Sequence, residues 1–262
     1  MQPAEAGYQV LTNWAEFGEY YQQHPEFLPP MDPVDGIIMA ARSYHLMHLN
    51  SDIDSKAYFS SFDYYTGEDV PDNLLLLKGF QTYQQTSLRS CGACCVLMTV
   101  NYLTQGQVVP GENELDKEMD IRFVDNKRED GSYGATTASM VKALEARGFA
   151  VQSSRDTQDR DGVSFHDYQE ASDFLKGKLL EGKPVIMENV EFGGHWMVLI
   201  GYDDMGTEDM DDDVLVFADP FDTSDHNQDG YYVRSFDRYI AAWFDHDVMP
   251  ADEKIQQYVT IR

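Results

Sequence analysis

Four residues of this chain, Gln85, Cys91, His195 and Asp219, are of types that together perform nucleophilic chemistry on a carbonyl. A cysteine attacks as the thiolate, whereas a free thiol is mostly protonated at neutral pH. A helix N-terminus and a nearby imidazolium both stabilise the anion. Cys91 follows Ser90, a good N-cap, and opens the apolar run CGACCVLMTVNYL, so the pattern predicts it in the first turn of a buried helix ending near Gly106. Gly92 beside it is expected to leave room for a substrate carbonyl. Cys94 and Cys95 fall inside the helix body, where they read as small core residues.

His195 and Asp219 relate to each other through a predicted hairpin. HWMVLIGY, from 195 to 202, and DVLVFAD, ending at Asp219, are apolar runs joined by the acidic stretch DDMGTEDMDDD. Consecutive strands joined by a polar turn favour antiparallel pairing. The midpoint of 195 and 219 is Thr207, inside that turn, so His195 and Asp219 are expected as direct cross-strand neighbours. A carboxylate there would fix the imidazole tautomer and stabilise its charged form. The other histidines, at 24, 45, 48, 166, 226 and 246, have no comparable partner in the sequence.

The chemistry also needs donors for the tetrahedral oxyanion. The Cys91 backbone amide can be one. Gln85, six residues upstream, can supply the second, and the adjacent Gln84 is its rival.

The elements that must hold these groups are legible in part. Thr136 or Thr137 caps a predicted helix, TASMVKALEARG, which ends at Gly148 before a strand at FAVQ. A third helix is expected from about Asp167 to Glu181, ended by Gly182 and followed by Pro184. PVIMENV, HWMVLIGY, VLVFAD, YYVRS and QYVTI then read as strands, and Pro110 to Ser132 reads as a surface excursion. Helices first and strands afterwards argue for an α+β fold with an antiparallel sheet. In the first 75 residues, Leu11 to Tyr21 and Ile37 to about Leu49 have helical spacing.

Composition bounds the partners. The net charge is −27, from 46 acidic and 19 basic residues, which disfavours nucleic acid and favours cationic peptides. The apolar runs are too short to span a bilayer, so no membrane span is expected. The first residues, MQPAEAGYQV, lack the features of a signal peptide, which makes the expected location cytoplasmic, or secreted if a leader has been removed. All three cysteines lie between 91 and 95, which rules out a disulfide framework and suggests a reducing setting. No cofactor or metal is expected. Cys91-x-x-Cys94 lacks a second ligand pair for zinc, and His45 and His48, near Asp52 and Asp54, read as packing or surface residues. Asp225 to Gly230 opens like a calcium loop, but its twelfth position is Phe236 in place of the bidentate acid.

Taken with their order, TYQQTSLRSCGACCVLMTVNYL, GKPVIMENVEFGGHWMVLIGYDD and VFADPF resemble the bacteriocin-leader (double-glycine) peptidases of bacteria and their free-standing relatives. These are papain-like enzymes with chain order Gln, Cys, His, Asp. Their glutamine, five residues, then Cys-Gly is met by Gln85, Cys91 and Gly92. Their Gly-His, apolar strand and Gly-Tyr are met by Gly194, His195, Gly201 and Tyr202, and their Asp-Pro by Asp219 and Pro220. The likeness covers about residues 79 to 245. It implies a papain-like cysteine peptidase fold, with its catalytic helix packed on the sheet, in a domain over 76–262. Residues 1–75 then form an N-terminal helical extension or lid. It also implies a thiol protease that hydrolyses peptide or protein substrates through Cys91, His195, Asp219 and Gln85. An acyltransferase on the same fold and a non-catalytic peptide-binding module are the rival readings.

Overall fold

The computed structural model describes residues 73–123, 125–190, 193–222, 229–245 and 248–262, together with Gln23. The expectations for the N-terminal extension, including the helices there and His45, His48, Asp52 and Asp54, lie outside the described residues. So do positions 225–228 of the calcium-like segment Asp225 to Gly230. Phe236, at its twelfth position, is fully buried.

Strand β4, His195–Asp203, is buried at every position and forms the axis of an antiparallel sheet with seven strands among the described residues. Its neighbours are β3, Val185–Asn189, on one side and β5, Val214–Ala218, on the other. The sheet continues through β6, Tyr231–Ser235, beyond β5. Beyond β3 it continues through β7, Tyr258–Ile261, and then β2, Val151–Ser153. The five strands expected after Pro184 are therefore all present, and the fold is the expected α+β arrangement with an antiparallel sheet.

The helices read from the sequence are also present. Helix α1, Cys91–Leu103, buries its first ten residues and packs on β4. A helix whose successive residues are all buried is a central core element rather than an amphipathic surface helix. Helix α3, Thr137–Glu145, starts at a reciprocal cap in which Thr136 Oγ1 accepts from the Ser139 amide and Ser139 Oγ accepts from the Thr136 amide. Helix α5, Tyr168–Leu180, is capped by Asp167, whose carboxylate accepts from the Glu170 amide at 2.8 Å.

Among the described residues, several elements were not expected, including a short 3-10 helix, Met210–Asp212, within the acidic turn. Strand β1, Leu74–Leu76, pairs with the far end of β4, Leu74 opposite Asp203 and Leu76 opposite Gly201. Helix α2, Glu112–Glu118, stands in the stretch read as a surface excursion, and Leu115 is fully buried there. Helix α4, Ser154–Thr157, follows β2, and helix α6, Phe236–Ala242, continues directly from β6.

The β4–β5 hairpin departs from the expected symmetry. From Asp203–Val214 to Gly201–Val216 the partner numbers sum to 417, but from Leu199–Phe217 to Val198–Ala218 they sum to 416. Ile200 is the extra residue on β4, a β-bulge. The Leu77 amide donates to the Ile200 carbonyl at 2.8 Å, which ties the bulge to the end of β1. Gly201 lies beside it against β1 and β5, where a Cβ would come within 2.9 Å of Leu76 Cδ1 and 3.1 Å of the Leu75 carbonyl.

Candidate active site

Continued by three residues, the outer register places His195 opposite Phe221, and Asp219 opposite Met197. The expected direct pairing of His195 with Asp219 is thus two residues out. A diagonal pair on one face of a sheet is still within reach of long side chains, and His195 Nε2 lies 2.7 Å from Asp219 Oδ1. Phe221, the residue in register, sets its ring edge-on to the imidazole with centroids 6.2 Å apart. Asp219 Oδ1 also accepts from the Phe221 amide at 2.8 Å, which locks the carboxylate at the end of β5.

The His195 side chain is 6 % exposed and that of Asp219 1 %. Burial by itself pushes the His195 pKa down. The Asp219 charge and hydrogen bond, with a hydrogen bond donated to the Cys91 sulfur, outweigh that and raise it from 6.5 to about 10. Burial likewise pushes the Asp219 carboxyl up, and the facing imidazole together with the Phe221 and Asp222 amides brings it below the ordinary value. The arrangement is a buried ion pair whose imidazole also faces the Cys91 sulfur.

Cys91 begins α1, as expected, but the cap differs from the expected one. Ser90 holds the N-cap position without making a side-chain cap bond. Its hydroxyl donates to Asp116 Oδ2 at 3.1 Å and lies 2.5 Å from Ser87 Oγ. Gly92 also plays a different part from the one expected. A Cβ there would lie 2.3 Å from Ala135 Cβ, so the missing side chain makes way for the core rather than for a substrate. Cys94 and Cys95 are fully buried, and burial pushes both thiols up. Cys95 Sγ donates to the Trp196 carbonyl at 3.2 Å.

The two glutamines are separated by what they touch. Gln84 Nε2 donates to the Pro220 carbonyl at 2.8 Å, and the backbone amide of Gln85 donates to the same oxygen at 2.8 Å. The Gln85 side chain points elsewhere, its Nε2 donating to the Ser87 carbonyl at 2.6 Å within the loop that leads to Cys91. Glu112 is the functional candidate that sequence reasoning missed. It is 5 % exposed and accepts hydrogen bonds from Thr86, the residue after Gln85. The signal was the spacing of Glu112, Leu115, Asp116 and Met119, a single helical face hidden by its two acids. Among the described residues no cluster of His, Cys, Asp and Glu could hold a metal ion, and no helix is long and apolar enough to cross a membrane.

A family model described as the Peptidase_C39 like family matches residues 77–244, more than half of the chain. The chain belongs to that family. The member is similar to the peptidase domain of Streptococcus ComA, a bi-functional ABC transporter involved in a quorum sensing pathway. That match has 13% identity over 70% of this chain and 98% of that one, with a TM-score of 0.39. It is also similar to xylellain, a cysteine protease from Xylella fastidiosa, at 17% identity over 72% and 85% of the two chains, with a TM-score of 0.43. A double glycine motif protease from an AMS/PCAT transporter, solved with the leader peptide, matches at 14% identity over 69% and 88%, with a TM-score of 0.35. No curated protein matches the chain.

Proposed function

We propose that this family member is a cysteine peptidase whose nucleophile is Cys91. The observation that supports it best is the convergence on one imidazole. His195 is 2.7 Å from Asp219 on one side and hydrogen-bonded to the Cys91 sulfur on the other. In this reading the Cys91 sulfur adds to a peptide carbonyl, and the Cys91 amide and Gln85 Nε2 hold the oxyanion. His195 delivers its proton to the leaving amine as the C–N bond breaks, leaving a thioester on Cys91. A water molecule then attacks the thioester, His195 takes its proton, and the acid leaves as the thiol is restored. Asp219 keeps the imidazole oriented and its charged form stable throughout.

The net charge of −27 favours cationic peptides over acidic ones. Residues 1–75 are proposed as an extension that shapes access to the site. Deleting residues 1–72 and comparing peptide preference with that of the whole chain tests this. Broader specificity in a folded protein is expected, and unchanged preference would remove the proposal.

The test of the main reading is a peptide-library digest read by mass spectrometry, with wild type and Cys91→Ala side by side. Cleavage at defined bonds that vanishes in the variant is expected. A parallel digest with a competing amine separates hydrolysis from acyl transfer, since amine-capped products would identify a transferase. Absence of any cleavage, with Cys91 reacting no faster than free cysteine toward iodoacetamide, would identify a binding module.

A further inference from the structure

We propose that Glu112 and Asp116 are positioning residues that hold the oxyanion loop at both ends. The proposal rests on the reading of Gln85 and Cys91 given above. The segment that runs from the oxyanion donor to the nucleophile has Thr86 at its first position and Ser90 at its last. Glu112 Oε1 accepts from the Thr86 amide at 2.9 Å, and its Oε2 accepts from the Thr86 hydroxyl at 2.9 Å and from the Tyr83 hydroxyl at 3.3 Å. Asp116 Oδ2 accepts from the Ser90 hydroxyl at 3.1 Å and lies 3.8 Å from Arg89 Nε. The two carboxylates are four residues apart, so they project from one face of α2, one turn from each other.

The grip continues into the loop. Ser90 Oγ meets Ser87 Oγ at 2.5 Å, and the Ser87 carbonyl is the acceptor for Gln85 Nε2. A chain of polar contacts therefore leads from Asp116 through Ser90 and Ser87 to the Gln85 amide. Ser90 can spend its hydroxyl this way because it leaves the ordinary capping bond of α1 unmade, while its carbonyl still accepts from the Cys94 amide at 2.8 Å.

Helix α2 is itself held as a strut. Leu115 and Met119, on the same face as the two acids, are buried in the core. Glu118 pairs with Arg147 through two contacts, at 3.1 and 2.9 Å. Seven residues could not persist as a helix on propensity alone, so this anchoring is what fixes the acids in place. A carboxylate accepting two or three hydrogen bonds from a loop fixes that loop's geometry. An oxyanion donor must be held within about half an ångström to be effective.

The test is a double-mutant cycle between Glu112 and Gln85, read as kcat on the fluorogenic peptide that wild type cleaves fastest. Glu112→Ala is expected to lower kcat by roughly 10- to 100-fold with KM little changed, close to the effect of removing an oxyanion donor. In the Gln85→Ala background the same change should cost less than about 3-fold, because residues acting as a unit are not additive. Glu112→Gln keeps an acceptor for the Thr86 amide and should recover most of the loss. Alkylation of Cys91 by iodoacetamide has no oxyanion and should stay within about 2-fold in Glu112→Ala. An equal cost in both backgrounds, or alkylation falling in step with kcat, would overturn the proposal. Hydrogen exchange at the Thr86 amide reads the clamp independently of turnover, and unchanged protection in Glu112→Ala would also overturn it. Should wild type show no Cys91-dependent cleavage, the parent reading fails first, before any Glu112 variant is compared, and the proposal falls with it.

Discussion

Gln85 and Pro220 are joined by a 2.8 Å hydrogen bond from backbone amide to carbonyl, across 135 residues of chain. Pro220 directly follows Asp219, so this bond fastens the loop that precedes Cys91 to the corner that carries the carboxylate. The Gln84 side chain donates to the same oxygen, so the neighbour that rivals Gln85 in sequence serves as a brace between the two halves of the site. A net contribution of about 1 kcal/mol from such a bond corresponds to roughly a 5-fold change. Gln84→Ala is expected to lower kcat/KM by about that factor. Gln85→Ala should cost 100-fold or more, a figure of the order found for a lost oxyanion donor. Steady-state kinetics on the two variants decides between them, and equal losses would contradict the division of labour.

The cysteines make a sharper contrast. Cys91 faces His195, whereas Cys94 is fully buried and burial pushes its thiol up. Cys91→Ala should abolish turnover with little change in melting temperature. Cys94→Ala should retain most activity and lose roughly 1 kcal/mol of stability, since it deletes one small buried atom. Activity surviving only in the Cys91 variant would reverse the assignment.

Stability should follow pH through His195. Its pKa in the folded chain, about 10, lies above the ordinary 6.5. The proton is therefore held more tightly in the folded state than in the unfolded one. The contribution is fully present below pH 6.5 and is lost as pH rises through about 10. Melting temperature measured from pH 6 to 10 should fall more steeply for wild type than for His195→Gln. The gap between them at pH 6 is expected to be at least about 5 °C. Parallel curves would show that the imidazole is not charged in the folded chain.

Glu188 points in the opposite direction. Its side chain is fully buried on β3, and burial first, then the facing Asp245, holds its carboxyl well above the ordinary value. An acid whose pKa is raised on folding favours the fold at low pH and burdens it as pH rises above 4.5, its ordinary value. Glu188→Gln should therefore raise the melting temperature at pH 7 by about 2 °C or more and leave it nearly unchanged at pH 4. A stabilisation of the same size at both pH values would point to packing instead.

Legibility of the sequence depended on whether tertiary contacts worked with local signals or against them. Val185–Asn189 and His195–Asp203 were readable because Gly182, Pro184 and Gly193-Gly194 bound continuous apolar runs. Leu74–Leu76 was not, because nothing local distinguishes three leucines that pair with a strand more than a hundred residues later. ENELDKE reads as a solvated segment since half of its buried face is acidic, and those acids are satisfied by Thr86 and Ser90 rather than by water. The candidate site was visible as residue types in order. Its diagonal register was invisible, because HWMVLIGY is apolar throughout and carries no alternation to mark where the pleat breaks.

The extra residue at Ile200 makes this site depend on a parity. Were the inner register of β4 and β5 to run unbroken, the partner of His195 would be Asp222, and Asp219 would lie an odd number of places away. Residues an odd number apart point to opposite sides of a sheet. Asp219 would then face away from the imidazole, however favourable its chemistry. The requirement is all-or-none rather than graded. Deleting Ile200 would leave Gly201 opposite Val216 and Leu199 opposite Phe217 as successive pairs, so His195 and Asp219 keep one face and turnover should persist wherever the shortened strand folds. Ile200→Val, which keeps the count, should stay within about 3-fold of wild type for a loss of about 0.5 kcal/mol. What must be kept is the face on which histidine and carboxylate meet: the extra residue can be lost, since its neighbours then pair as before, but it cannot itself be paired.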